Sequence, residues 1–197
     1  MARDTRQRIV AAARDLVHAA SLAEVSTEAV CQAAGVHKGS LYHFFPSKEA
    51  LGAAVLDCNW ALMREMLDEA FGDDVAPLAR MDRFVDMFVH RLAAMRELTG
   101  ATPGCPLGGL VVELAGHGDE SPTRTERVLH AWERYFADAI SEAKGQGELG
   151  AAVDSTSAAR RLLAHLQGLA LLAKAYDDPR LILDAKRDFR LLLGAAD

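Results

Sequence analysis

His37, Lys38, Ser40, Tyr42 and His43 bring imidazoles, hydroxyls and an ammonium together within a few residues. These are hydrogen-bond donors around one fixed cation, the chemistry that meets phosphate oxygens and the edges of bases. They can act together only from one face of a short helix. Leu41 and Phe45, four apart, supply the opposite, inward face.

The surrounding residues build the frame for that helix. Ser26 or Thr27 can cap a first helix by accepting a bond from an unpaired backbone N–H. Ala29, Val30 and Ala33 form its apolar stripe, and Gly35 follows where a left-handed residue ends a helix at little cost. Val36 seals the turn from beneath. The second helix runs over residues 38–44 and stops at Pro46, which has no N–H to continue the ladder. Ser47 then caps a third helix through Lys48, Glu49, Ala50 and Leu51. Lys48, at the start of that helix, lies where unpaired N–H groups attract phosphate. Helix, glycine turn, helix is the unit that places its second helix in a DNA major groove. Spacing alone serves equally for a helical hairpin with an ordinary polar face.

The residue types say more. Ala34-Gly35-Val36, Lys38-Gly39-Ser40-Leu41-Tyr42, Phe45 and Ser47-Lys48-Glu49-Ala50-Leu51 resemble the DNA-binding domain of the TetR family of transcriptional regulators. That family's pattern runs A-G-V-s-k-G-t-l-Y-x-x-F-x-s-K-e-x-L, and the resemblance covers residues 5–52. His37 departs from it, standing where the family has Ser or Thr. The resemblance implies a homodimer on an approximately palindromic operator. Thr27, His37, Lys38, Gly39, Ser40, Tyr42, His43 and Lys48 would then face the DNA. It also implies an effector pocket in the remainder of the chain.

Composition fits this reading. The 197 residues are 50% hydrophobic and 25% charged. Ala and Leu dominate over Val, Ile and Thr, which predicts an all-helical fold. The net charge of −6 is unevenly spread. Residues 1–50 carry six Lys/Arg against five Asp/Glu, and the rest carry 16 against 23. A locally basic face matters more for phosphate contact than the total. Cys31, Cys58 and Cys105 lie far apart and make neither a disulfide framework nor a zinc spacing. No stretch approaches the ~20 apolar residues that span a bilayer, and the N-terminus has no apolar signal core. A cytoplasmic protein with no membrane partner is expected.

Periodicity then lays out about nine helices. The first, from Asp4, buries Ile9, Ala12, Ala13, Leu16 and Val17. Arg3, Arg6 and Arg8 at its start read as a solvated end or, through the resemblance, as an arm on phosphates. The helix from Ser47 carries Val55, Leu56, Trp60, Met63 and Leu67 and ends at Gly72-Asp73-Asp74. Residues 75–98 form another, and Pro106 suits the first turn of a helix that stops at Gly116-His117-Gly118. Ser121-Pro122, Asp154 or Ser155, and Asp178-Pro179 open the last three. The division expected is a helix-turn-helix domain over residues 1–46 and a helical bundle for ligand binding and dimerisation over residues 47–197.

Gly145 to Gly150 match G-x-G-x-x-G, but the match follows a helix rather than a strand, so it reads as a loop. No nucleophile motif, phosphate loop or HExxH occurs, so neither catalysis nor a metal nor a cofactor is expected. The bundle offers a pocket instead. Trp60, Met63, Phe84, Phe88, Leu107, Val111, Leu114, Trp132, Phe136 and His165 either line it or fill plain core. The segment from Pro103 to Ala115 is similar to a G-C-P-L-x-N-L-x-x-E-L/M segment in one subset of TetR-like repressors of efflux and electrophile responses, with Gly109 in place of Asn. Cys105 there is either a reactive thiol before a helix start or a small buried residue. Glu113 either bonds a polar ligand group or caps a buried network.

The last two helices, which are expected to form the homodimer contact, have apolar residues on more than one face: Leu162, Leu166, Leu169 and Ala173 make one row, and Leu163, Ala170 and Lys174 follow another. A helix apolar on two sides needs two partners, the bundle and a second subunit. The function expected is a repressor on DNA, released by a small apolar or aromatic effector. The alternatives are a redox or electrophile sensor acting through Cys105, and a helical small-molecule protein without DNA function.

Overall fold

The computed structural model describes residues 2–115 and 121–195. Among them no strand occurs, and nine α-helices follow in order: α1 Ala2–Ala19, α2 Thr27–Ala34, α3 Lys38–Phe44, α4 Lys48–Ala70, α5 Pro77–Thr99, α6 Gly108–Leu114, α7 Ser121–Gly145, α8 Ser155–Tyr176 and α9 Asp184–Leu193. The chain is all-α. The expected stop at Gly116-His117-Gly118 lies outside the described residues.

The boundaries follow from local chemistry. Ser26 Oγ accepts from the N–H of Ala29 at 3.1 Å and caps α2. Gly35 closes α2 in the left-handed region, at φ 63, while Val36 N–H reaches back to Cys31 O at 3.0 Å. Ser47 Oγ accepts from Ala50 N–H at the start of α4, and Asp154 caps α8 through Ser157 N–H. Pro77 takes the first position of α5, two residues after the expected start, where a missing N–H costs nothing.

Two expectations change. Pro106 stays outside the helix, and α6 begins at Gly108 with Leu107 as its N-cap. The Pro106 carbonyl is taken by Asn59 Nδ2 at 2.8 Å instead of by a helical N–H. The last helix is split. Asp178 Oδ1 accepts from Arg180 N–H at 3.0 Å, only two residues on, and this tight turn opens a 3-10 helix, Pro179–Leu183, before α9.

The chain divides into two compact units, one of residues 1–62 and 106–128, the other of residues 63–105 and 129–197. Helices α4 and α7 each carry a boundary. In the first unit α1 packs on α2 and α3. Ile9, Ala13, Val17, Val30, Leu41 and Phe45 are its buried apolar residues, joined by Leu51, Val55, Leu110 and Leu114. In the second, α5, α8, α9 and the 3-10 helix pack together. Phe84, Phe88, Trp132, Phe136, Leu162, Leu166, Ile182 and Phe189 lie in that core. Each such side chain contributes about 1.5–3 kcal/mol on burial.

Both apolar rows of α8 turn inward in part, since Leu163 and Ala170 are buried alongside Leu162, Leu166 and Ala173. The uncovered apolar residues of the last two helices are Leu171, Leu172, Tyr176, Leu191 and Leu192. No helix among the described residues is long and apolar enough to cross a membrane.

Candidate functional sites

Helix α3 sorts its residues by face. Leu41 and Phe45 are 1% and 2% exposed, whereas His37, Lys38, Gly39, Tyr42 and His43 are exposed and Ser40 is half-buried. His37 is the N-cap by position, yet its ring makes no capping bond. Lys38 Nζ lies 2.5 Å from Glu28 Oε1 and 6.0 Å from the centre of the Tyr42 ring. The Glu28 hydrogen bond holds the Lys38 ammonium above its ordinary pKa, and Lys38 in turn holds the Glu28 carboxyl below its own. Thr27 Oγ1 donates to the other Glu28 oxygen at 3.2 Å. Arg6 stacks its guanidinium 5.1 Å from the centre of the Phe45 ring, tying the start of α1 to the end of α3. Lys48 Nζ donates to Ala23 O at 2.7 Å, leaving the ammonium two further donors.

Gly39 has no structural reason to be glycine. A Cβ there would meet nothing within 4 Å. Inside a helix glycine costs about 1 kcal/mol against alanine. The sequence offered no sign of Glu28, because only the folded turn brings α2 beside Lys38.

The second unit holds a ring cluster. Phe84 and Phe88 stack at 5.8 Å and 11°, and Trp132 and Phe136 meet Phe84 edge-on at 6.0 and 5.9 Å. Phe71, not singled out in the sequence, joins Phe136 at 5.6 Å. Among the described residues the buried Trp132 indole N–H has no hydrogen-bond partner. Leaving such a donor unpaired costs about 1–3 kcal/mol. Met63 is buried in the same unit. His165 Nε2 faces Asp188 Oδ2 at 2.9 Å. Cys105 is half-buried, and the Gly104 before it, at φ 74, packs so that a Cβ would lie 3.3 Å from the Lys174 stem.

The remaining predicted ligand residues, Trp60, Leu107, Val111, Glu113 and Leu114, belong to the first unit. Leu107 is fully buried there. The two Glu113 oxygens accept from the backbone N–H groups of Leu22 and Ala23, at 3.1 and 2.8 Å. Among the described residues no His, Cys, Asp and Glu cluster could hold a metal ion.

Residues 9–55 match the family model of bacterial regulatory proteins of the tetR family, and residues 77–189 match that of the tetracyclin repressor-like C-terminal domain. The chain belongs to the TetR family. As a TetR-family protein it is a transcriptional regulator with a helix-turn-helix DNA-binding domain. It is similar to the transcriptional regulator AcuR of Cereibacter sphaeroides, 33% identical over 151 residues that cover 76% of this chain and 67% of the relative. The transcriptional repressor DhaR of a Mycobacterium species is 28% identical over 146 residues, covering 74% and 70%. A regulatory protein TetR from Rhodobacter sphaeroides superposes with a TM-score of 0.83 at 30% identity, covering 93% of this chain and 95% of that one. Reduced NemR of E. coli, at 18% identity and a TM-score of 0.79 over 98% and 100%, shares the fold.

Proposed function

We propose that the protein is a ligand-responsive repressor that binds an approximately palindromic operator as a homodimer and leaves it when a small apolar or aromatic effector binds. The observation that carries the DNA contact is the face of α3, polar and exposed above buried Leu41 and Phe45. His37, Lys38, Ser40, Tyr42 and His43 reach bases or phosphates, and Thr27 and Lys48 take the backbone. The bare surface at Gly39 lets a DNA strand come close. Repression is supported by the likeness to DhaR.

The effector belongs with the ring cluster of Phe84, Phe88, Trp132 and Phe136. Its chemistry is apolar or aromatic with one acceptor, which the unpaired Trp132 N–H would satisfy. A ligand shifts the protein between conformations only if it binds one of them better. Helices α4 and α7, shared by both units, are the elements able to pass that preference to the DNA-reading unit. The dimer is supported by Leu171, Leu172, Tyr176, Leu191 and Leu192, which are exposed, and by Gly168, where a Cβ would meet nothing within 4 Å. Two recognition helices about one DNA turn apart need such a symmetric partner.

The test is binding to a fluorescent duplex from the DNA flanking the protein's own gene, titrated with salt and competitor DNA. Binding that resists competitor and yields to small aromatic acids or esters supports the reading. Binding no tighter than to competitor at every salt concentration counts against this operator.

A second reading places the trigger at Cys105, which like Cys58 is half-buried, whereas Cys31 is buried. An oxidant or electrophile would then release DNA. Cys105→Ser decides: a variant still released normally removes the thiol from the mechanism.

A further inference from the structure

We infer that Glu113 positions the DNA-reading helices by clamping the turn between α1 and α2 onto α6, an inference that rests on the DNA-binding reading of α3. The turn is held from three directions, all within the first unit. Glu113 Oε1 accepts from Leu22 N–H at 3.1 Å and Oε2 from Ala23 N–H at 2.8 Å. Lys48 of α4 donates to the carbonyl of the same Ala23 at 2.7 Å. The Leu22 side chain fills a notch over Gly52 of α4, where a Cβ would stand 2.5 Å from Leu22 Cδ2 and 3.1 Å from Leu114 Cδ2. Thus α6 grips the turn by its N–H groups, α4 by its carbonyl, and Leu114 joins the two helices beneath it.

Such a clamp has leverage. The Ser26 cap and α2 follow the turn within a few residues, and the Gly35 turn joins α2 to α3. Fixing Leu22 and Ala23 therefore fixes where the recognition helix begins. Carboxylate-to-backbone bonds are short, charge-assisted and directional, and two on adjacent N–H groups define both position and tilt. An apolar contact would hold the turn without specifying either. Glu113 thereby acts on DNA through the turn, without touching it.

The experiment compares wild type with Glu113→Gln and Glu113→Asp. Glutamine keeps the size but turns an NH2 toward one of the two N–H groups, so one bond is lost and two donors face each other. Aspartate keeps the charge and draws back by one methylene. The first readout is residue-resolved amide hydrogen exchange at pH 7 without DNA. Faster exchange at Leu22, Ala23 and through residues 27–44 in Glu113→Gln, partly restored in Glu113→Asp, is expected. The second is affinity for a duplex selected by wild type from a random pool, measured well below the unfolding midpoint, with a loss of about tenfold expected. A lower midpoint with unchanged exchange over residues 27–44 and unchanged affinity overturns the inference and leaves Glu113 a plain cap. If Glu113→Gln does not fold, the same two readouts on Glu113→Asp decide. If wild type selects no duplex, the DNA-binding reading fails, and the exchange arm still decides whether Glu113 positions α2 and α3.

Discussion

Lys38, on the exposed face of the recognition helix, is paired with Glu28 of α2 at 2.5 Å. The cation proposed to meet phosphate already has an anion beside it. Lys38→Ala should weaken DNA binding and lower the slope of log affinity against log salt by about 1. Glu28→Gln should strengthen binding a few-fold, since it removes a negative charge that competes with phosphate. Salt titrations of both variants on one duplex check this. Weaker binding by Glu28→Gln would mean that the carboxylate serves to order Lys38.

Gly39→Ala should separate stability from binding. A Cβ there enters open space in the free protein, so alanine should stabilise α3 by about 0.5–1 kcal/mol. The same methyl group should weaken binding to DNA if the strand approaches that surface. Urea unfolding and a binding titration give the two signs. Tighter binding together with higher stability would remove Gly39 from the interface.

Gly52→Ala should act in the opposite sense. Its Cβ would fall 2.5 Å from Leu22 Cδ2, forcing that side chain from its notch. The cost expected from such overpacking is about 1–3 kcal/mol. Urea unfolding measures it, and a matched Leu22→Ala should recover part of the loss in the double variant.

Leu171→Glu should dissolve the proposed dimer. Leu171 is 68% exposed, so a charge there costs the single chain little. Sedimentation of wild type and variant should show a dimer and a monomer, with operator affinity lost in the monomer. A variant that still sediments as a dimer would move the interface away from this face of α8.

Asp177 gives a pH dependence. Arg96 Nε and Nη2 reach its two oxygens at 2.9 and 2.7 Å, and Thr102 N–H and Oγ1 both donate to Oδ1. Arg96 first, then Thr102, hold the Asp177 carboxyl well below its ordinary value of 3.8, and Arg180 lowers that of Asp178 to about 2. A depressed carboxyl stabilises the fold above its unfolded pKa and loses that contribution as pH falls through the folded value. Asp177→Asn should therefore lower Tm at pH 7, and the gap to wild type should close as pH drops below about 4. Asparagine tolerates the left-handed backbone at φ 53, so the charge is tested without added strain. A gap that is constant with pH would place the effect in shape alone.

What the sequence made legible was local. Ser26, Gly35, Ser47 and Asp154 act on groups within a few residues of themselves, and their cap chemistry is readable from neighbours. The two faces of α3 were legible because Leu41 and Phe45 share a helical spacing. Pro106 was misjudged where one competing bond decided the outcome, since Asn59 took the proline carbonyl, whereas Asp178 does cap a helix start ahead of Pro179 but opens it as a 3-10 turn, bonding two residues ahead instead of three. The pairs Glu28–Lys38, Asp177–Thr102 and Glu113–Leu22 had no pattern to betray them, since each is made by packing between separate elements. The candidate effector residues divided between the two units for the same reason: apolar stripes show which face is inward but not which core it enters.

The Glu113 bonds to Leu22 and Ala23 close loops of 91 and 90 residues, and this carries over to biosynthesis. At ribosomal rates the turn between α1 and α2 emerges on the order of 5–20 s before its acceptor. Through that interval the two N–H groups lack the Glu113 acceptor, and α2 and α3 begin to fold with only α1 and the earlier-made α4, whose Lys48 reaches the Ala23 carbonyl. The nascent DNA-reading segment is therefore held from the α4 side only until α6 has been made, and a nascent chain released before Glu113 would lack the carboxylate grip altogether.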